Sequence, residues 1–144
     1  MATLASYQKI TRVRPGKPFG DGHLGATTVS GGTVPGNSLA SGKGAAASST
    51  LTLSQVSAFN NGDVIIIVQH RGTNAGQWEV NMIASGGGTT TLTLSVPLQF
   101  TYLDANLGDA AAEQAQVIEV EECSDFTISG AGSETATAWN GSLN

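Results

Sequence analysis

A single cysteine, Cys123, excludes an internal disulfide in this chain of 144 residues. A chain of this length buries roughly 68–70% of its unfolded surface and needs no such staple. The neighbours Glu121, Glu122 and Asp125 disfavour a thiolate, so Cys123 reads as structural rather than nucleophilic. A lone thiol also points to assembly in a reducing cytoplasm. Charge is scarce, at 12% of residues against a usual ~25%. No apolar run approaches the ~20 residues that a membrane helix needs. Met1–Tyr7 lacks the basic start and apolar stretch of a secretory leader, so neither leader nor membrane partner is expected. Read that way, the sequon Asn140–Ser142 is a chance match.

Catalytic and metal signatures are missing too. His23 and His70 are the only histidines, and neither has a second His or Cys at zinc-ligand spacing. Gly20–Gly25 fits G-x-G-x-x-G, but Lys17-Pro18-Phe19 before it and Ala26–Val29 after it are not the strand and helix of a dinucleotide site. No serine sits in a nucleophile elbow. Glu119, Glu121, Glu122 and Asp125 form the densest acidic cluster. Calcium ligation and paired-carboxylate catalysis are the functional alternatives there. The alternation reads more simply as a solvated strand edge that discourages pairing. The expectation is a protein that is not an enzyme and uses no cofactor or metal.

What is present is glycine, 19 of 144 and about twice the usual ~7%, together with threonine-rich alternating segments. The densest apolar run is Val64–Val68, opened by the turn signal Asn61-Gly62-Asp63. Five β-branched residues in a row predict a strand buried on both faces. Trp78–Val96 predicts a hairpin around Gly86–Gly88, with Trp78, Val80, Met82 and Ala84 on the core face and Glu79, Asn81 and Ile83 opposite. Leu51 and Leu53, Leu92 with Leu94 and Val96, Ile118 with Val120, and Phe126 with Ile128 are expected to point inward. Phe100, Tyr102 and Leu103 should tuck inward from a long connection, with a helical turn over Asp109–Glu113. The fold class is all-β: a small antiparallel β-barrel or β-sandwich with an extended N-terminal arm. Residues 1–49 read as a basic arm and a Gly/Ser/Thr-rich loop region, and residues 50–144 as the β domain. One short strand is expected at Thr27–Ser30, whereas Ser41–Ser49 looks too simple in composition to supply a core.

Charge is divided between these regions. Residues 1–43 carry Lys9, Arg12, Arg14, Lys17 and Lys43 against Asp21, a net of +4; residues 44–144 carry Arg71 against ten carboxylates, a net of −9. A basic arm on an acidic body suits an arm-on-neighbour contact. So few basic residues on so acidic a body do not suit nucleic acid. Lys9, Arg12, Arg14 and Lys17 are therefore the partner-binding candidates on the arm. Trp139 is the candidate anchor in the polar tail.

The order Asn61–Ile67, Arg71–Glu79, Ile83–Ser85, Thr91–Leu98 and Ala115–Val120 resembles a β module of large bacterial surface proteins and phage virion proteins. Gly20-Asp21-Gly22 ahead of a Thr/Val strand is similar to a segment near the start of phage fibre and decoration-type proteins, and Ala138–Gly141 to one that leads into further β structure. The likeness covers about half the chain and carries no catalytic residues. It implies a phage virion structural protein, either a capsid decoration (cement) protein or a capsid-bound fibre base, located in the virion. Its partners would be the major capsid protein or other virion proteins and further copies of itself. The alternative is a carbohydrate- or host-surface-binding adhesin, using the loop His70–Gly76 with Trp78 or Trp139 against a surface glycan.

Overall fold

The computed structural model describes residues 25–30 and 39–130. The strands are β1 (Ala26–Ser30), β2 (Leu39–Lys43), β3 (Thr50–Leu53), β4 (Val64–Arg71), β5 (Trp78–Ser85), β6 (Thr91–Leu94), β7 (Gln114–Glu119) and β8 (Asp125–Ser129). The chain divides into two units, Gly36–Glu121 and a second made of residues 1–35 with 122–144.

The first unit is a closed antiparallel barrel with strand order β2-β3-β6-β5-β4-β7, and β7 returns to β2. Of the two architectures expected, the barrel is the one formed. Its turns follow the sequence signals. Asp63 takes the Asn60 backbone N–H on its carboxylate at 2.6 Å and so closes the turn before β4. The glycine turn at 86–88 reverses the chain between β5 and β6.

The interior is filled by alternate residues of every strand. Leu51 and Leu53, Ile65 and Ile67, Ile83, Leu92 and Leu94, and Val117 are all buried. Phe59, Leu98 and Tyr102 from the connections close the core, and Phe100 packs against it. At roughly 1.5–3 kcal/mol for each large apolar side chain, this interior is the main stabilising term.

Several expected strand faces are reversed. On β5 the inward residues are Glu79, Asn81 and Ile83, while Trp78 and Met82 are exposed. On β7 Ala115, Val117 and Glu119 point in, and Ile118 and Val120 are half-buried on the other face. On β4 only Ile65, Ile67 and Gln69 are fully buried, so the run is not covered on both faces. The cross-strand register explains this consistency: Ile65 lies between Asn81 and Glu119, and Ile67 between Glu79 and Val117. Once Ile65 and Ile67 point inward, their neighbours on both sides must do so as well. Val96 is also exposed rather than inward. Over Asp109–Glu113 the chain makes a single turn, closed by the Glu113 N–H to the Ala110 carbonyl at 2.8 Å, and a 3-10 helix at Ala105–Leu107, capped by Asp104, precedes it.

The stretch expected to be loop supplies a barrel strand. β2 pairs with β3 on one side and β7 on the other, with Ala40 buried. Its small residues are what permit this. A Cβ on Gly42 would stand 2.9 Å from the Val117 side chain, and one on Gly44, just past the strand, would overlap that of Leu98.

Among the described residues the second unit contains one parallel pair, β1 with β8, in unbroken register from Ala26↔Asp125 to Ser30↔Ser129. The strand expected near Thr27–Ser30 is thus present, but Phe126 and Ile128 are exposed, not inward. Beside this pair the Cys123 thiol is buried, with Sγ 3.1 Å from the Thr27 hydroxyl.

Candidate functional site

Two features of the barrel unit bear on function. The first is a set of polar side chains that fixes the connections 71–77 and 97–113. Gln69 turns inward just before the β4 bulge. Its Nε2 donates to the carbonyls of Arg71 at 2.8 Å and Leu103 at 2.9 Å, and its Oε1 accepts from the Leu103 N–H at 2.9 Å. Buried Glu113 accepts from the Thr73 N–H at 3.0 Å, the Thr73 hydroxyl at 2.8 Å and Gln69 Nε2 at 3.3 Å. The Gln69 bonds to Leu103 tie one connection to β4, and the Glu113 bonds to Thr73 tie the two connections to each other, which removes local freedom from both.

Glu79 and Asn81 do the same further along. Glu79 Oε2 accepts from the Gln99 N–H at 2.9 Å and from the Tyr102 hydroxyl at 3.4 Å. Asn81 Nδ2 donates to the Val96 carbonyl at 2.9 Å. Burial raises the Tyr102 phenol far above its ordinary value, and the charge of Glu79 and its hydrogen bond add to this. Tyr102 therefore acts as a donor and not as a base.

An open groove of about 420 Å³ lies beside these connections, lined by Lys43, Thr50, Thr52, Thr101, Tyr102 and Asp109. Lys43 Nζ is engaged by Asp109 at 3.0 Å and by the Leu107 carbonyl at 3.1 Å. The Asp104 N–H bond to Asp109 holds the Asp109 carboxyl below its ordinary value, and Lys43 adds to this against the effect of burial. Asp104 is fully buried, and its Oδ1 accepts from the Asn106 N–H at 2.9 Å and the Ser41 hydroxyl at 3.2 Å. Its Oδ2, like Nε2 of His70, is buried without a hydrogen-bond partner. Burial lowers the His70 pKa, Arg71 lowers it further, and Asp104 pulls the other way. Among the described residues no group of three or more His, Cys, Asp or Glu could hold a metal ion.

The second feature is the outer face of β5, β4, β7 and β2. Residues between the inward ones form rows across these strands. One row runs Trp78, Val68, Gln116, Ser41. The next runs Val80, Ile66, Ile118, Leu39. A third joins Met82 to Val64, whose carbonyl accepts from the Val120 N–H at 2.8 Å. All of these but Gln116 and Ser41 are apolar. Trp78 is 51% exposed, Leu39 47% and Met82 40%. Exposed apolar area that is contiguous across strands marks a contact surface, whereas single exposed residues do not.

The partner-binding candidates Lys9, Arg12, Arg14, Lys17 and Trp139 lie outside the described residues, as does His23. The acidic cluster is not a solvated edge throughout, since Glu119 is only 8% exposed and points into the barrel. Trp78, expected in the core, stands on the outer face. The residues missed in the sequence are those of the outer rows. Their signal was the Val64–Val68 run, because alternate residues of a strand point to opposite faces.

Comparison with known proteins finds no matching family model, no matching curated protein and no matching solved structure.

Proposed function

We propose that this chain is a structural module of a multi-subunit particle, namely a phage virion protein that serves as a capsid decoration protein or a capsid-bound fibre base. The observation that carries this reading is the apolar outer face of the barrel. Covering Trp78, Leu39 and Met82 would remove on the order of 300 Å² from water, about 7 kcal/mol at ~25 cal/mol/Å². Association itself costs roughly 4–15 kcal/mol, so one such contact alone is marginal. A surface of this strength works where many copies are held together and each contact is reinforced by others. The basic arm residues Lys9, Arg12, Arg14 and Lys17 would add ionic contacts to an acidic neighbour, with Trp139 as an anchor. The virion assignment rests on the resemblance of the turn and strand motifs to phage virion modules.

Antibody to the chain should co-sediment with intact particles from an infected or induced culture. Recombinant protein should rebind stripped particles. Protein lacking residues 1–19, or carrying Leu39→Lys with Met82→Lys, should fail to rebind while its barrel stays folded by circular dichroism. A chain found only in the soluble fraction would overturn the reading.

One observation favours a second reading. Trp78 is exposed directly after the polar loop 72–77, which is where an adhesin would stack a sugar ring. Binding to a glycan array that Trp78→Ala abolishes would support the adhesin; an array with no signal would remove it.

A further inference from the structure

The barrel closes on itself and leaves no strand edge. The pair β1–β8 is the opposite case. Each strand has the other as its sole strand neighbour among the described residues. Two strands alone are marginal in water, and parallel sheets occur with their faces covered. Here every residue of β8 is exposed, with Phe126 at 44% and Ile128 at 52% on one face. Among the described residues the edges carry little of the usual protection. The two strands contain no proline and no lysine, their register shows no bulge, and Asp125 is their only charge.

We propose that β1–β8 is half of an intermolecular sheet, completed by the same pair of a second copy of this chain through β8. The sequence of β8 is self-complementary when it pairs antiparallel with itself about a two-fold axis at Thr127. In that register Phe126 faces Ile128 of the second copy, an aromatic-to-β-branched pair that suits a sheet face. Asp125 faces Ser129 of the second copy, so the two carboxylates do not oppose each other. The result is a four-stranded sheet β1-β8-β8-β1 in which both copies use identical residues, as a two-fold interface requires. This inference does not rest on the virion reading, and it uses residues of the second unit alone.

The register is tested by crosslinking the full-length chain. Thr127→Cys places two thiols on the axis and forms a covalent dimer under mild oxidation. Ser129→Cys does not, because its two copies would lie about 14 Å apart along the strands at ~3.4 Å per residue, beyond the ~7 Å reach of a disulfide. Cys123 is present in both variants and controls for adventitious crosslinking. In light scattering the unmodified chain is dimeric or larger. Phe126→Lys alone and Ile128→Lys alone each dissociate it, and Phe126→Lys combined with Ile128→Glu restores it by placing opposite charges across the join. A chain that is monomeric overturns the proposal. So does one that self-associates but crosslinks no better through Thr127→Cys than through Ser129→Cys, since it must then use another surface.

Discussion

Removing the carboxylate of Glu113 should loosen the barrel by a predictable amount. Glu113 is 6% exposed and takes two hydrogen bonds from Thr73, at 3.0 and 2.8 Å, and one from Gln69 at 3.3 Å. Hydrogen bonds to a charged group contribute roughly 1.5–3 kcal/mol each. Thr73 is exposed and regains water when the carboxylate is gone, and Gln69 Nε2 keeps the carbonyls of Arg71 and Leu103. Glu113→Ala should therefore cost about 2–3 kcal/mol in total, well below the simple sum. Glu113→Gln keeps an acceptor toward Thr73 and should cost about 1 kcal/mol. Urea unfolding followed by far-ultraviolet circular dichroism reads both. With a slope of roughly 1–3 kcal/mol/M, the midpoint should fall by about 1–2 M for alanine and less than half as much for glutamine. A double-mutant cycle with Thr73→Ala should return a coupling of about 1 kcal/mol. Equal losses for the two Glu113 variants, or no coupling to Thr73, would refute the view that this carboxylate ties the loop to the barrel.

Two further predictions concern the same unit. The His70 pKa is lowered in the fold, chiefly by burial, so the unfolded chain binds more protons just below its ordinary value of 6.5. The stability that His70 contributes is thus fully present above that value and is lost as pH falls below it. Unfolding at pH 7.5 and pH 5 should show this loss, and His70→Gln should reduce it; an unchanged difference in the variant would count against the assignment. Gly86 has φ +87, and a Cβ there would overlap the Thr91 carbonyl, whereas Gly62 has φ +98 with open space around it. Gly86→Ala should cost at least ~1 kcal/mol more than Gly62→Ala in thermal unfolding, and equal costs would show that the hairpin turn relaxes freely.

The barrel was legible in the sequence because its turns are marked by glycine and asparagine and its strands by β-branched alternation. Which face of each strand points inward was less legible. The usual inference places apolar residues inside, but β5 offers Trp78, Val80 and Met82 on one side against Glu79, Asn81 and Ile83 on the other. The polar set won because Glu79 finds the Gln99 N–H and Tyr102 hydroxyl, and Asn81 finds the Val96 carbonyl, inside the barrel. Those partners lie in a connection whose path no local pattern reveals. β2 was missed for a related reason. Its Ser/Gly composition suggested a linker, yet close approach to Val117 and Leu98 demands small residues there. Of the candidate site, the polar loop residues and the five-residue run were visible in the sequence. The apolar rows became apparent only once the register set Ile66 beside both Val80 and Ile118.

The order in which the strands pair has a consequence for how the protein is made. The hairpin β4–β5 joins neighbours in sequence and can form early. The closure β2–β7, by contrast, pairs Leu39 with Ile118 and must wait until Gln114–Glu119 has left the ribosome. Contacts so distant along the chain slow folding, and the time taken to synthesise the intervening residues delays closure further. Until β7 arrives, Ile65 and Ile67 on one side of β4 and Ile66 and Val68 on the other all face solvent. The nascent chain should thus bind holding chaperones strongly, and release should coincide with the emergence of β7.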